Sequence, residues 1–494
     1  MPSNTDNGPE GGLRQQIAGS AEVRISQGAP SSRFDKLAGS AHARMSQGEL
    51  ASGFQKLWKR LSSRSGQVSP WPTSVPGTAP EALLARARAF FAAERAGDSQ
   101  LELRKIEAVR HFDVAGMHRA VAVCPCGSSG SSLLTSYLDG HDEILMLPLL
   151  LSRAIYPFYE QYRSLPLRDK LMTYPFFSLD QYDHCDFFFQ GDHRIAAGEY
   201  CAAVNAFLKV YSHWPPELLE SRRMFFQSLH VVYCVARGQR PASPQPMMVY
   251  AQHGLNDSLA SRLVEDFPQA RFIHTVRDPI TNCGRLFEHY FRTLGFMAPV
   301  YVISNLTYAD APHLSMESRT LTIRFEDLHA RTRQTMGAIA DWLGLPYRST
   351  LRDSTFNGVP FVVGRGTTIW SGARAEQALR DSRNVSSTDR CLLLAVLYED
   401  FVAWNYPCPR IFRHGLLRVL AFMLVVLLPM RIEIITARRV LRLLAVGKIR
   451  HASKGLLRLA VGRAAIILLL AAELYRRLVF GKQVLQLRET PPAA

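Results

Sequence analysis

The segment Cys124-Pro-Cys-Gly-Ser-Ser-Gly-Ser-Ser-Leu-Leu134 combines small side chains with hydroxyl groups. Between a strand and a helix, such a run lets successive backbone N–H groups converge on an anion at the helix N-terminus. Ser128, Ser129, Gly130, Ser131 and Ser132 are the candidates for this cradle, the last two serines adding hydroxyl donors. An ordinary Gly/Ser turn has the same composition, so this segment alone leaves both readings open. It is not a Gly-x-x-x-x-Gly-Lys-Ser/Thr loop, because the Lys is missing. A second segment, Phe267-Pro-Gln-Ala-Arg-Phe-Ile-His-Thr-Val-Arg-Asp-Pro279, is an apolar run ending in Arg277. The planar guanidinium suits bidentate phosphate binding, or else pairing with a neighbouring carboxylate. Asp278 is placed to cap the following helix and Pro279 to open it. A third segment, Thr320-Leu-Thr-Ile-Arg-Phe-Glu-Asp-Leu328, reads as strand and turn, mainly architectural. Cys124 and Cys126 are too few to close a zinc site. No metal is expected.

The elements that must hold these segments alternate. Strands are predicted at His118–Val123, Met247–Ala251, Arg271–Val276 and Thr320–Phe325, and helices at Ser131–Leu138, Leu255–Phe267 and Arg331–Leu343. This alternation implies an α/β fold with a mostly parallel sheet flanked by helices. Ligands of such sheets bind beyond the carboxyl ends of the strands, which selects residues 124–132, 251–256 and 277–285.

In this order the three segments resemble the sulfotransferases that use 3′-phosphoadenosine 5′-phosphosulfate (PAPS), of bacterial type. The family's phosphosulfate loop is similar to Ser128–Leu134, its 3′-phosphate segment to Phe267–Pro279, and its Arg-Tyr/Phe-Glu-Asp-Leu motif to Arg324–Leu328, followed by Trp342-Leu-Gly-Leu-Pro346. Thr355-Phe-Asn-Gly358 and Gly364-Arg-Gly366 with Trp370 fall where the family closes a loop over the cofactor. The resemblance spans roughly residues 118–406. It implies a P-loop-like fold, PAPS as co-substrate without a metal, and sulfuryl transfer to a hydroxyl of a glycan, glycolipid or lipid acceptor. A nucleotide-binding relative without transfer and a P-loop-type kinase are the alternatives.

The chain departs from the family pattern at several positions. The basic residue of the family's loop is Ser128 here, and Arg365 is a candidate to replace its charge. Arg285 stands where the family has a 3′-phosphate Ser, eight residues after the Arg. The glutamate that some branches use as base gives way to apolar residues near Pro148–Leu150. His253, at the end of a strand, is then the candidate catalytic base, with a near-neutral pKa suited to deprotonating a hydroxyl. Asp192, His193 and Glu199 are weaker competitors.

The chain of 494 residues is 47% hydrophobic and 20% charged, which excludes a wholly disordered or collagenous protein. Eight scattered cysteines fit buried thiols in a reducing compartment. Residues 1–80 are expected to be a disordered tail with a 20-residue tandem repeat (Ala18–Gly28 and Ala38–Gly48) and a Pro-rich linker. Residues 1–30 carry no signal-peptide h-region. Residues 81–409 would form the enzyme domain. Residues 410–494 hold +13 of the net +16 charge, interleaved with apolar runs. That pattern suits an anionic membrane surface rather than nucleic acid. The expectation is a set of membrane-associated helices, peripheral or monotopic on the cytoplasmic side. Amphipathic helices packed on the domain are the alternative.

Overall fold

A computed structural model describes residues 80–93, 99–125, 127–147, 155–181, 195–252, 257–294, 298–307, 318–365, 368–374, 376 and 384–489. The expected N-terminal tail and repeat lie outside the described residues. Five strands form one sheet in the order β2-β3-β1-β4-β5, where β1 is Ala120–Pro125, β2 Ile144–Met146, β3 Met247–Ala251, β4 Arg271–Val276 and β5 Thr320–Arg324. Every neighbouring pair is parallel. The α/β expectation therefore holds, with β1 at the centre.

β1 runs two residues further than the sequence suggests. Cys124 and Pro125 look like part of the turn, yet they stand in register with His274 and Thr275 of β4. Pro125 forgoes only one N–H donor there, at the end of the strand where the ladder stops. Period-two alternation then divides the sheet between two cores. Ala120, Ala122, Cys124, Met248, Tyr250 and Phe272 face the helices Pro80–Ala93, Ser99–Arg110, Leu167–Gln181, Ala197–Val210 and Arg222–Ala236. Val121, Val123, Val249, Ile273, Leu321 and Ile323 face the helices Ser131–Leu138 and Thr332–Leu343. Burial on both faces explains why β1, β3 and β4 read as continuous apolar runs.

A third core begins at Val276, the last residue of β4, and continues through Ile280, Cys283 and Leu286 of the helix Pro279–Leu294. It is completed by Phe422 of Gly415–Leu427, Ile432 of Arg431–Ala445, and Ile466, Leu470 and Leu474 of Ile449–Glu489. The C-terminal helices thus share a core with the segment that carries Arg277. Buried charges fasten the same joint. Arg418 pairs with Glu399 at 2.5 Å, and Arg477 reaches Asp400 at 2.7 Å and also pairs with Glu473.

Candidate active site

The loop after β1 turns through residues of positive φ: Gly127 at 26°, Ser128 at 49° and Gly130 at 89°. A Cβ on Gly130 would lie 2.7 Å from the Phe325 ring, so both conformation and space demand glycine there. Gly130 is the N-cap of Ser131–Leu138 and provides no side-chain cap, which leaves first-turn N–H groups for another acceptor. Ser129 is fully buried, and its Oγ shares a 2.8 Å hydrogen bond with Thr275 Oγ1. Its hydroxyl therefore ties the loop to β4. Ser131 is buried and Ser132 half-buried.

Arg277 leaves the end of β4 and is only 5% exposed. Its guanidinium carbon lies 4.0 Å from the centre of the Phe325 ring. Nη1 donates to the Ser128 carbonyl at 3.3 Å, whereas buried Nε has no hydrogen-bond partner among the described residues. No carboxylate described in the structure comes within ion-pairing distance of it. Burial lowers its pKa to about 10, partly opposed by the charge of Glu326; Arg285 lowers it further. A desolvated cation with an idle donor is the arrangement that a phosphate oxygen would complete. The alternative of a carboxylate-paired Arg is not what the geometry gives.

Neighbouring groups fix this arginine from below. Asp278 Oδ1 accepts the Thr281 N–H at 2.7 Å, so it caps the helix that Pro279 opens, as the sequence suggests. The Asp278 N–H donates to Glu326 Oε1 at 3.2 Å, and Tyr406 Oη donates to Glu326 Oε2 at 2.6 Å. The Arg-Phe-Glu-Asp-Leu segment is accordingly more than architectural: Phe325 seats Arg277, and Glu326 holds the backbone beside it. Its place directly after the last strand of the sheet was the signal for that role.

Arg285 lies on the helix Pro279–Leu294, near enough to repel Arg277, and forms an ion pair with Glu288 at 3.2 Å. Arg365 ends the strand Val362–Arg365 and pairs with Thr368 in a small antiparallel hairpin. The Asn357-Gly358 turn is anchored by Tyr233 Oη, which donates to Asn357 Oδ1 at 2.6 Å, and by Asp139, whose Oδ2 accepts the Gly358 N–H at 2.9 Å. The Arg374 N–H donates to His329 Nδ1 at 2.8 Å, bringing the end of this covering region to the helix Phe325–Ala330. Burial, and then the nearby Arg277 charge, lower the His329 pKa to about 4.

His253 lies outside the described residues, as do Cys126, Asp192 and His193. β3 delivers the chain toward His253 at the carboxyl edge, where the Gln252 N–H donates to the Val123 carbonyl at 2.9 Å. Glu199 is held by Lys105 at 2.5 Å on the helical layer over the opposite core. The structure thus brings together the Ser128–Ser132 loop, Arg277 and Arg285.

A sulfotransferase family model matches residues 121–349, which contain the loop, Arg277 and the Arg-Phe-Glu-Asp-Leu segment. Among solved structures, the sulfotransferase domain of the olefin synthase from Synechococcus PCC 7002 is 18% identical, covering 48% of this chain and 76% of its own, with a TM-score of 0.26. The sulfotransferase domain from the curacin biosynthetic pathway is 14% identical over 48% of this chain and 77% of its own, with a TM-score of 0.27. Sulfotransferase STF9 from Mycobacterium avium is 15% identical over 60% and 85%, with a TM-score of 0.29. No curated protein matches the chain. Residues 121–349, just under half of the chain, thus match the sulfotransferase family.

Proposed function

We propose that the protein transfers a sulfuryl group from PAPS to a hydroxyl of a glycan, glycolipid or lipid reached at the cytoplasmic face of a membrane. The observation that carries the reading is Arg277, a buried guanidinium with an idle Nε, linked through Ser128 to the loop at the central strand's edge. In this assignment Arg277 and Arg285 hold the 3′-phosphate. The first-turn N–H groups after Gly130, with the Ser131 and Ser132 hydroxyls, face the phosphosulfate, and Arg365 supplies charge that Ser128 lacks. The bond between sulfur and the 5′-phosphate oxygen breaks, and a bond to the acceptor oxygen forms. The acceptor proton passes to His253, and adenosine 3′,5′-bisphosphate leaves. A positioned base contributes typically ~10²–10⁴-fold. His253→Ala should therefore abolish most turnover and leave cofactor affinity unchanged.

The direct test is transfer of radiolabelled sulfate from PAPS to a lipid and glycan extract, with desulfated PAPS as the blank. A second reading, nucleotide binding without transfer, is favoured by one feature: Ser128 replaces the family's loop cation. Tight adenosine 3′,5′-bisphosphate binding with no labelled product from any extract would select that reading.

A further inference from the structure

The last helix, Ile449–Glu489, is 41 residues long. An 18-residue window within its stretch Ile449–Tyr475 reaches a mean hydropathy of 2.0, enough by length and composition for a membrane-spanning segment. The lower part of that stretch is not available to lipid. Ile466, Leu469, Leu470 and Leu474 are buried in the core that begins at Val276. Arg463 pairs with Glu433, and Gly462 packs against Val300. Placing this half in a bilayer would strip the helix Pro279–Leu294 of its cover.

The other end is different. Beyond Arg439, whose guanidinium rests 5.2 Å from the centre of the Phe291 ring, the helix Arg431–Ala445 leaves the domain. From residue 441 to 451 only Leu443 is even half-buried. Leu441 is 59% exposed, Val446 66%, Ile449 68% and Leu457 65%. Arg442, Lys448, Arg450 and Lys454 alternate with them and are exposed too. No acid occurs between Glu433 and Glu473. An apolar tip ringed by cations that meet no carboxylate among the described residues is complementary to acyl chains below a layer of anionic headgroups.

We infer that this tip, residues 441–457, is a monotopic membrane anchor that inserts into anionic bilayers, while the rest of the last helix stays in the enzyme's core. The inference rests on the membrane-side reading above and narrows it to one element. Flotation of the full-length protein tests it with vesicles of phosphatidylcholine alone and with added phosphatidylglycerol. The parent floats with the anionic vesicles and detaches at high salt. Val446→Glu with Ile449→Glu lowers the bound fraction at least about tenfold, without changing the melting temperature or adenosine 3′,5′-bisphosphate binding. Leu468→Glu, on an exposed position of the packed half, leaves flotation as it was. Brominated acyl chains quench a tryptophan at Ile449→Trp and spare one at Leu468→Trp.

Each failure points to a different cause. A parent that binds anionic vesicles equally well after the tip substitutions overturns the anchor but keeps the membrane reading. A parent that binds no vesicle overturns both. Quenching at both tryptophan positions, with resistance to carbonate extraction, replaces the anchor with a spanning helix. A dimer that the tip substitutions dissociate, without vesicle binding, assigns the surface to a second copy of the chain.

Discussion

Arg277 gives up most of its hydration on folding and receives one carbonyl and one aromatic face in return. A hydrogen bond between charged partners contributes about 1.5–3 kcal/mol. Arg277→Ala should therefore weaken adenosine 3′,5′-bisphosphate binding at least ~tenfold, whereas adenosine 5′-phosphate, lacking the 3′ group, should bind as before. Calorimetry with both nucleotides checks this, and equal losses would remove Arg277 from the 3′-phosphate. Gly130 makes a second test at the same scale. Its φ of 89° costs a residue with a side chain about 1–2 kcal/mol, and the new methyl would push on Phe325, the seat of Arg277. Gly130→Ala should lower the melting temperature and diminish the further rise produced by adenosine 3′,5′-bisphosphate. Gly337→Ala, inside the helix Thr332–Leu343 with the nearest neighbour 4.0 Å from the new carbon, should raise the melting temperature slightly and leave the nucleotide-induced rise unchanged.

At the scale of elements, what was legible in the sequence depended on length and on boundaries. β4 could be read to the residue because its apolar run is closed by Arg-Asp-Pro, a strand end and a helix start in one signal. β2 has three residues, too few to show a period, and went unseen. The helix Leu167–Gln181 carries Pro175 in its interior, which argues against continuity until tertiary packing overrides it. The loop and Arg277 are marked by local pattern, and Arg285 by the family resemblance alone. Phe325 was not, because its contacts with Arg277 and Gly130 exist only once β5 lies beside β4. The C-terminal helices show the same limit. Their Arg/Leu mixture is equally compatible with lipid and with a domain surface, and the structure packs Ile466, Leu469, Leu470 and Leu474 into the core while leaving residues 444–451 exposed. Removing residues 411–494 should leave Ile280, Cys283 and Leu286 uncovered, and Glu399 and Asp400 without Arg418 and Arg477. Losing one partner of a buried pair alone costs about 3–5 kcal/mol. The truncated chain should elute as an aggregate and show no cooperative melt; a monodisperse, folded truncation would mean that the domain's core is complete without these helices.

For the whole molecule, the buried histidines set how stability answers to acid. His230, beneath the sheet, and His274, on β4 against Trp404, are both held to a pKa of about 4 by burial. In the unfolded chain each titrates near 6.5. Between these values the unfolded state binds a proton that the folded state refuses, so stability rises with pH across this interval. Read downward, stability is present in full above about pH 6.5, is lost as the pH falls toward 4, and falls no further on their account below that. Each histidine contributes a slope of about 1.4 kcal/mol per pH unit. Two acting together are large against a total stability of about 5–15 kcal/mol. Denaturant midpoints measured from pH 7 to pH 4.5 should therefore fall steeply. His274→Phe keeps a ring against Trp404 and removes one titrating group. It should reduce the slope by about 1.4 kcal/mol per unit and leave the pH 7 fold intact. If its slope matches the parent's, His274 is not the residue through which acid unfolds the protein, and His230 or His329, the latter also held to about 4, becomes the substitution to make.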